Sequence, residues 1–152
     1  MGRGRKVAYI QAGWHSEITD RCKEAFAAEM KRAEWDDSEI EYFSVPGSLE
    51  LPLMAKRLAS SGGYAAVCLS GLVVDGGIYR HEFVAQAVLN GIVQVSLETE
   101  VPVLSAVLTP QQFHETEAQV QFFSDHMLVK GKELAEACTS IVDAMAAVET
   151  RT

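Results

Sequence analysis

The sequence predicts an α/β protein whose parallel sheet is covered by helices on both faces. Four short apolar runs alternate with four stretches of helical periodicity, an order typical of a parallel sheet. One run, residues 64–74, is apolar almost without interruption, as expected for a central strand buried on both faces. Because 152 residues suffice for one core, we expect a single domain over residues 1–152. The fold class is therefore a three-layer α/β/α sandwich with a four-stranded parallel sheet, which is flavodoxin-like.

The first half of the chain contains two strand–helix pairs. "KVAYIQAG" is a β-type run that ends at Gly13, and "IEYFSV" is the second strand. Ser16 and Ser48 stand where helix N-caps are expected, and Gly62-Gly63 ends the second helix. Four apolar residues recur at every fourth position and give the first helix one buried face: Ile18, Cys22, Phe26 and Met30.

The second half repeats this alternation. After the strand in 64–74, a helix from about residue 80 buries Val84, Val88, Ile92 and Val95. "VPVLSAVLT" is the fourth strand. A helical stretch from Gln111 to about Phe123 follows, and Gly131 predicts a kink or a restart before the last helix.

Composition and charge exclude several classes of protein. The net charge of −8 disfavours nucleic acid as a partner, because an acidic surface repels phosphate backbones. No run of about 18 apolar residues and no secretory signal occurs, so we expect neither a membrane span nor export. Cys22, Cys68 and Cys138 have no metal-ligand spacing and fall in apolar patterns, which indicates reduced core thiols and a cytoplasmic protein.

The fold class indicates where a ligand would bind. In open parallel sheets, ligands bind beyond the carboxyl ends of the strands. Four loops leave those ends, beginning at Gly13-Trp14-His15, Pro46-Gly47-Ser48, Asp75-Gly76-Gly77 and Thr109-Pro110.

The third loop carries the strongest chemical signal. Gly76 and Gly77 precede a helix start, where free backbone amides favour an anion such as phosphate. Arg80 is a candidate phosphate clamp, and His81 is a candidate acid–base group near neutral pH. A plain tight turn followed by solvated helix-start residues is the alternative interpretation.

The first two loops offer different chemistry. Trp14 gives a flat aromatic surface on which a planar heterocycle can stack, or it packs beneath its own loop. Glu50 either complements the positive end of a helix or accepts hydrogen bonds from ligand hydroxyls.

Taken together and in order, five pieces resemble the lumazine synthases of riboflavin biosynthesis. They are "AGW", "VPGSLELP", "GLVVDGG…RHEFV", "PVLSAVLT" and "VKG", and they extend from about Lys6 to Ala146. "DGGIYRHEF" is most similar to the second, bacterial type of the family. The resemblance implies condensation of 5-amino-6-(D-ribitylamino)uracil with 3,4-dihydroxy-2-butanone 4-phosphate to 6,7-dimethyl-8-ribityllumazine. Phosphate and water are released, and neither a cofactor nor a metal is required.

The resemblance also implies roles for residues of this chain. Trp14 would stack on the pyrimidine, and the stretch Ser48, Leu49 and Glu50 would bind the pyrimidine and its ribityl chain. Leu72, Val73 and Val74 would wall the pocket. Gly76 and Gly77 would hold the phosphate, with Arg80 beside them, and His81 would transfer protons.

The chain departs from the common family pattern at three places. The loop from Gly76 to His81 is one residue longer, so the catalytic histidine matches His81 by identity or Arg80 by position. We favour His81, because a guanidinium stays protonated near pH 7. Ser105 stands where an aromatic is common, and Gln119 lies at or near the position of a phosphate-binding arginine. Arg80, His114 and His126 are the candidate replacements for its charge.

Family sites lie between subunits of a pentamer, with the regions of Ser105 and Gln119 reaching the adjacent site. The resemblance therefore implies a homo-oligomer of pentamers, with a decamer favoured over a larger shell. Three other interpretations remain open: a flavin- or lumazine-binding module without turnover, a purely structural shell protein, and a receiver domain with Asp75 as phosphoacceptor. The last lacks the acidic pair that receivers need after strand one.

Overall fold

The structure is a computed structural model that describes residues 4–74, 81–110 and 116–151, with His81 described through its backbone only. Strands and helices alternate as the sequence predicts. The strands are β1 (Lys6–Ala12), β2 (Ile40–Val45), β3 (Tyr64–Leu72) and β4 (Val103–Leu108). The helices are α1 (Ser16–Arg32), α2 (Leu51–Ser60), α3 (His81–Thr99) and α4 (Glu117–Glu149). Two 3-10 turns, Asp37–Glu39 and Ser48–Glu50, precede β2 and α2.

The four strands form one parallel sheet in the order β2-β1-β3-β4. The prediction of a three-layer α/β/α sandwich is confirmed. β3 occupies an inner position, and all of its residues except Ala65 are buried, which explains its nearly continuous apolar sequence.

Alternating strand residues face two separate core layers. Val7 and Tyr9 face α1 and α4, whereas Ala8 and Ile10 face α2 and α3. The α1/α4 layer contains bulky groups such as Phe26. The α2/α3 layer is lined by smaller ones, among them Ala8, Ala12, Ala55, Ala59 and Ala85.

The prediction of a kink or restart at Gly131 is wrong. One continuous helix of 33 residues, α4, runs through this glycine, which is buried. A Cβ atom at Gly131 would overlap the carbonyl oxygen of Cys22 and lie 2.9 Å from the Cβ of Ala25. Gly131 therefore allows α4 to pack tightly on α1, and it does not break the helix. Gln111, the predicted start of this region, lies outside the described residues.

The three cysteines are free and buried, as predicted. Burial raises the pKa of the Cys22 thiol to about 11, and burial is also the main cause that raises the pKa of Cys68. The Cys22 and Cys68 thiols are therefore protonated near neutral pH, and all three cysteines belong to the core. Among the described residues, no helix is both long enough and apolar enough to span a membrane.

Candidate active site

The carboxyl ends of the four strands lie along one edge of the sheet and are joined by main-chain hydrogen bonds. The Gly13 amide donates to the Val45 carbonyl at 2.8 Å, which joins the ends of β1 and β2. The Val73 amide donates to the Leu108 carbonyl at 2.8 Å, which joins the ends of β3 and β4. The segments that leave these four ends therefore start from a single rim.

Trp14 stands on this rim between β1 and α1, and 64% of its surface is exposed. His15 follows it in the left-handed conformation, with φ 56° and ψ 48°. The His15 carbonyl accepts bonds from the amides of Ile18 and Thr19, at 2.9 and 3.1 Å. His15 therefore holds the N-cap position that was predicted for Ser16. It turns the chain sharply into α1 while the indole stays in solvent.

The residues Ser48, Leu49 and Glu50 form a 3-10 turn on the same rim. The amide of Glu50 donates to the carbonyl of Gly47 at 3.2 Å. Leu49 is 57% exposed, and Glu50 is also exposed. Ser48 does not cap α2 as predicted, because the N-cap position belongs to Glu50 and carries no side-chain bond.

Two glycines make room for this turn, Gly71 where it meets β3 and Gly47 within the turn itself. A methyl group on Gly71 of β3 would lie 3.0 Å from Ser48 Oγ and 3.2 Å from the Cβ of Ala12. A methyl group on Gly47 would lie 3.2 Å from Glu50 Oε1. The close contact between Ser48 and β3 depends on the missing side chain at Gly71.

The end of β3 carries three further predicted site residues. The side chains of Leu72 and Val73 are buried in opposite core layers, and Val74 is half-buried against the α1/α4 layer. Because the Val73 amide already bonds to Leu108, a ligand at this edge would have to use other main-chain atoms of the segment.

Part of the predicted phosphate loop lies outside the described residues. This applies to Gly76, Gly77, Arg80 and His114, and to the side chain of His81. The backbone of His81 is the first residue of α3. The helix that carries the predicted proton-transfer group therefore begins at that group.

Ser105 and Gln119 lie on β4 and in the first turn of α4. Ser105 is exposed in the middle of the edge strand β4, opposite Leu69, and its Oγ accepts a bond from the Val107 amide at 3.1 Å. Gln119 lies in the first turn of α4, where its amide donates to Thr116 Oγ at 3.2 Å.

One turn beyond Gln119, α4 carries two stacked rings. Phe122 is 61% exposed and lies parallel to the His126 ring, with an angle of 2° and 6.2 Å between ring centroids. No group of three candidate metal ligands comes together within the described residues.

Residues 4–146 match the family model of 6,7-dimethyl-8-ribityllumazine synthase. The chain belongs to this family. It is 46% identical to the 6,7-dimethyl-8-ribityllumazine synthase of Rhodococcus erythropolis over 148 residues, which cover 97% of this chain and 96% of that protein.

Two further lumazine synthase relatives carry the number 2 in their names. The 6,7-dimethyl-8-ribityllumazine synthase 2 of Pseudomonas syringae pv. tomato is 51% identical over 91% of this chain and 81% of its own length. That of Bradyrhizobium diazoefficiens is 52% identical over 92% of this chain and 84% of its own. The family resemblance carried by the loops is confirmed.

Within this lumazine synthase fold, sequence reasoning missed the glycines that bring the loops together. A methyl group on Gly13 would lie 3.3 Å from the carbonyl oxygen of Val45. A glycine inside or at the end of a strand pattern is the available signal for such close approaches, and both Gly13 and Gly71 carry it. The left-handed conformation of His15 has no comparable signal, because few residues other than glycine adopt it.

Proposed function

We propose that this chain catalyses the lumazine synthase reaction as one domain, at the rim formed by the strand ends. It would condense 5-amino-6-(D-ribitylamino)uracil with 3,4-dihydroxy-2-butanone 4-phosphate to 6,7-dimethyl-8-ribityllumazine, with release of phosphate and water. The observation that carries the proposal is the convergence of the segments bearing Trp14, Ser48 and Val74 on one edge, through the Gly13–Val45 and Gly71–Ser48 contacts. The names of the relatives support the same activity.

Different segments of the rim would bind the two substrates. The exposed indole of Trp14 is the stacking surface for the pyrimidine, since Trp14 is the large aromatic in the segment between β1 and α1. The adjacent 3-10 turn supplies the Glu50 carboxylate, which can accept bonds from ribityl hydroxyls. Gly76, Gly77 and Arg80 would hold the phosphate of the second substrate at the start of α3.

Two effects account for the catalysis. Holding two small reactants in a reactive orientation replaces about 7–11 kcal/mol of barrier. A positioned acid–base group, here His81, adds roughly 10²–10⁴-fold through proton transfers in imine formation and phosphate elimination. Most of the rate enhancement therefore comes from positioning.

We infer that the protein works as a homo-oligomer. No charged residue occurs between Phe83 and Leu97 of α3, although this helix covers the outside of the sheet. Four large apolar side chains on its outer surface are exposed: Phe83, Leu89, Val93 and Leu97. A helix that is apolar on its outer side as well is normally covered, and a second copy of the chain is the cover that symmetric assembly supplies.

The resemblance supports an assembly of pentamers, with a decamer favoured. In such an assembly the exposed Ser105 on the edge strand and the half-buried Gln119 on α4 would face the site of the adjacent subunit. Because the three thiols are free, the protein suits a reducing compartment, which supports a cytoplasmic location.

A steady-state assay with both substrates tests the proposal. Absorbance of the lumazine product should appear with the wild-type protein. Trp14→Ala should raise the KM for the pyrimidine roughly 10-fold or more, while Trp14→Phe, which keeps an aromatic surface, should restore most of the affinity. A folded wild type that binds the pyrimidine without forming product would instead be the binding module without turnover.

His81→Ala separates positioning from proton transfer. We expect turnover to fall by roughly 10²–10⁴-fold without being abolished, since the reactants are still held together. The measurement is kcat over a range of pH, with the variant's fold checked by circular dichroism. Complete inactivity of a folded His81→Ala protein would contradict the positioning account.

A further inference from the structure

The one glycine of α3, Gly91, lies against the neighbouring helix α2. A Cβ atom at Gly91 would lie 2.9 Å from Cγ and 3.1 Å from Cβ of Pro52 in α2. A distance under 3.0 Å is not compatible with ordinary van der Waals contact between carbon atoms. The two helices can pack this closely only because residue 91 has no side chain.

The contact is rigid on the α2 side. Pro52 is the second residue of α2, and its ring carbons cannot rotate away because they are closed onto the backbone. Further along the same two helices, Lys56 Nζ lies 3.2 Å from the Glu98 carboxylate. A side chain at Gly91 would therefore move α3 relative to α2, and could not be absorbed by a rotamer change.

Each of these helices begins beside one half of the proposed site. Pro52 follows the 3-10 turn Ser48–Glu50, which is proposed to bind the pyrimidine and the ribityl chain. Gly91 lies ten residues after His81, about 15 Å along α3 from its first residue. Because both helices start at the strand-end rim, their separation sets the distance between the two half-sites.

We propose that Gly91 is a positioning residue for the condensation, acting through its contact with Pro52; this rests on the proposed function. The reaction joins two small molecules held by two different segments. Each segment keeps its own binding groups when α3 shifts, but the reacting atoms move apart. A displacement of about 1 Å is enough to cost roughly 100-fold in rate.

The displacement has a kinetic signature that differs from general destabilisation. With Gly91→Ala, kcat should fall roughly 10- to 100-fold, while the KM of each substrate stays within about threefold of the wild type. A merely structural glycine would lower the thermal midpoint and leave kcat of the folded protein unchanged. The native mass should not change, because the exposed stripe Phe83, Leu89, Val93 and Leu97 is untouched.

A double-mutant cycle tests the contact itself. It comprises the wild type, Gly91→Ala, Pro52→Ala and the double variant. Pro52→Ala removes Cγ, the nearer of the two ring atoms that the new methyl group meets, and keeps Cβ. We expect Gly91→Ala to be at least threefold less harmful to kcat in the Pro52→Ala background than in the wild type. Gly63→Ala is the matched control, since its methyl group would meet nothing closer than 3.7 Å.

The outcomes are distinct. A wild type without product overturns the proposed function and this inference with it. If the wild type turns over, an unchanged kcat in Gly91→Ala overturns the inference alone, and so does an equal loss in both backgrounds. If Gly91→Ala does not fold, the double variant decides: a folded protein with restored kcat supports the inference, and an unfolded or slow one overturns it.

Discussion

Helices α1 and α3 cover opposite faces of the same sheet, yet they present opposite surfaces to their surroundings. α1 has eight charged residues in 17 positions, and no large apolar side chain on it is exposed. α3 has no charge from residue 83 to 97 and exposes four large apolar side chains. In the proposed homo-oligomer, we therefore expect α1 to remain on the outer surface and α3 to become buried.

α1 carries surface ion pairs within the helix, whereas an ion pair of α3 joins Glu98, near its end, to Lys56 of α2. On α1, Arg21 pairs with Glu24 at 2.8 Å and Arg32 with Glu29 at 3.3 Å. Such exposed pairs contribute little stability, but they keep a helix soluble. The α3 side is therefore where we propose that a second copy of the chain binds, and α3 also begins at the proposed phosphate end of the site.

A charge placed on the exposed surface of α3 should have the largest effect on assembly and activity. Val93→Glu should prevent assembly, because a carboxylate would have to be buried without a partner in the interface. Native mass should fall to that of the monomer, and product formation should fall roughly 100-fold or more, since the site is then incomplete.

Val148→Glu in α4 is the matched control for that change. Val148 is also 58% exposed, but it lies near the end of the last helix, away from α3. Assembly and activity should be retained in this variant. A Val93→Glu protein of unchanged native mass would show that α3 does not form the interface.

A change at Gly131 tests the packing on the other face of the sheet, between α1 and α4. Gly131→Ala places a methyl group against the Cys22 carbonyl, so α4 must move away from α1. Overpacking of this kind costs about 3 kcal/mol in the free energy of unfolding. Denaturant titration should detect that loss, with Gly63→Ala close to the wild type. An unchanged midpoint would mean that the α1–α4 contact is looser than the structure shows.

The pH dependence of stability gives the smallest of these effects. Burial raises the Cys22 pKa from 9.0 to about 11, so the folded protein keeps this proton to a higher pH than the unfolded chain. The stabilisation is therefore complete below pH 9.0 and is lost as pH rises toward about 11, by about 2–3 kcal/mol. Cys22→Ala should show a shallower decline over this window in urea denaturation. Parallel curves for the two proteins would contradict a buried, protonated thiol.

The sequence predicts the layers of the fold well, because burial on one face leaves a periodic trace. Ile18, Cys22, Phe26 and Met30 were assigned to the core from their spacing, and all four are buried. Periodicity tells which face of a helix is buried but not how close its partner lies. The sequence therefore predicts a helix break at Gly131, although this glycine is a contact between two continuous helices.

The position of the site follows from topology, but its geometry does not. The rule for parallel sheets placed the Trp14 and Ser48 loops on one edge, where the structure has them. The contacts that join these loops depend on Gly13, Gly71 and the left-handed His15. These features are single positions and contacts between pairs of residues in the folded chain, so they produce no periodic pattern in the sequence.

A crystal structure of the protein with a substrate-analogue pyrimidine and inorganic phosphate is the sharpest test that the rim is the active site. We expect the pyrimidine ring to lie parallel to the indole of Trp14, with its side chain along the turn Ser48–Glu50. The phosphate should lie against the backbone of Gly76 and Gly77. A pyrimidine bound elsewhere, with Trp14 and Glu50 making no contact to it, would contradict the assignment of the rim as the active site.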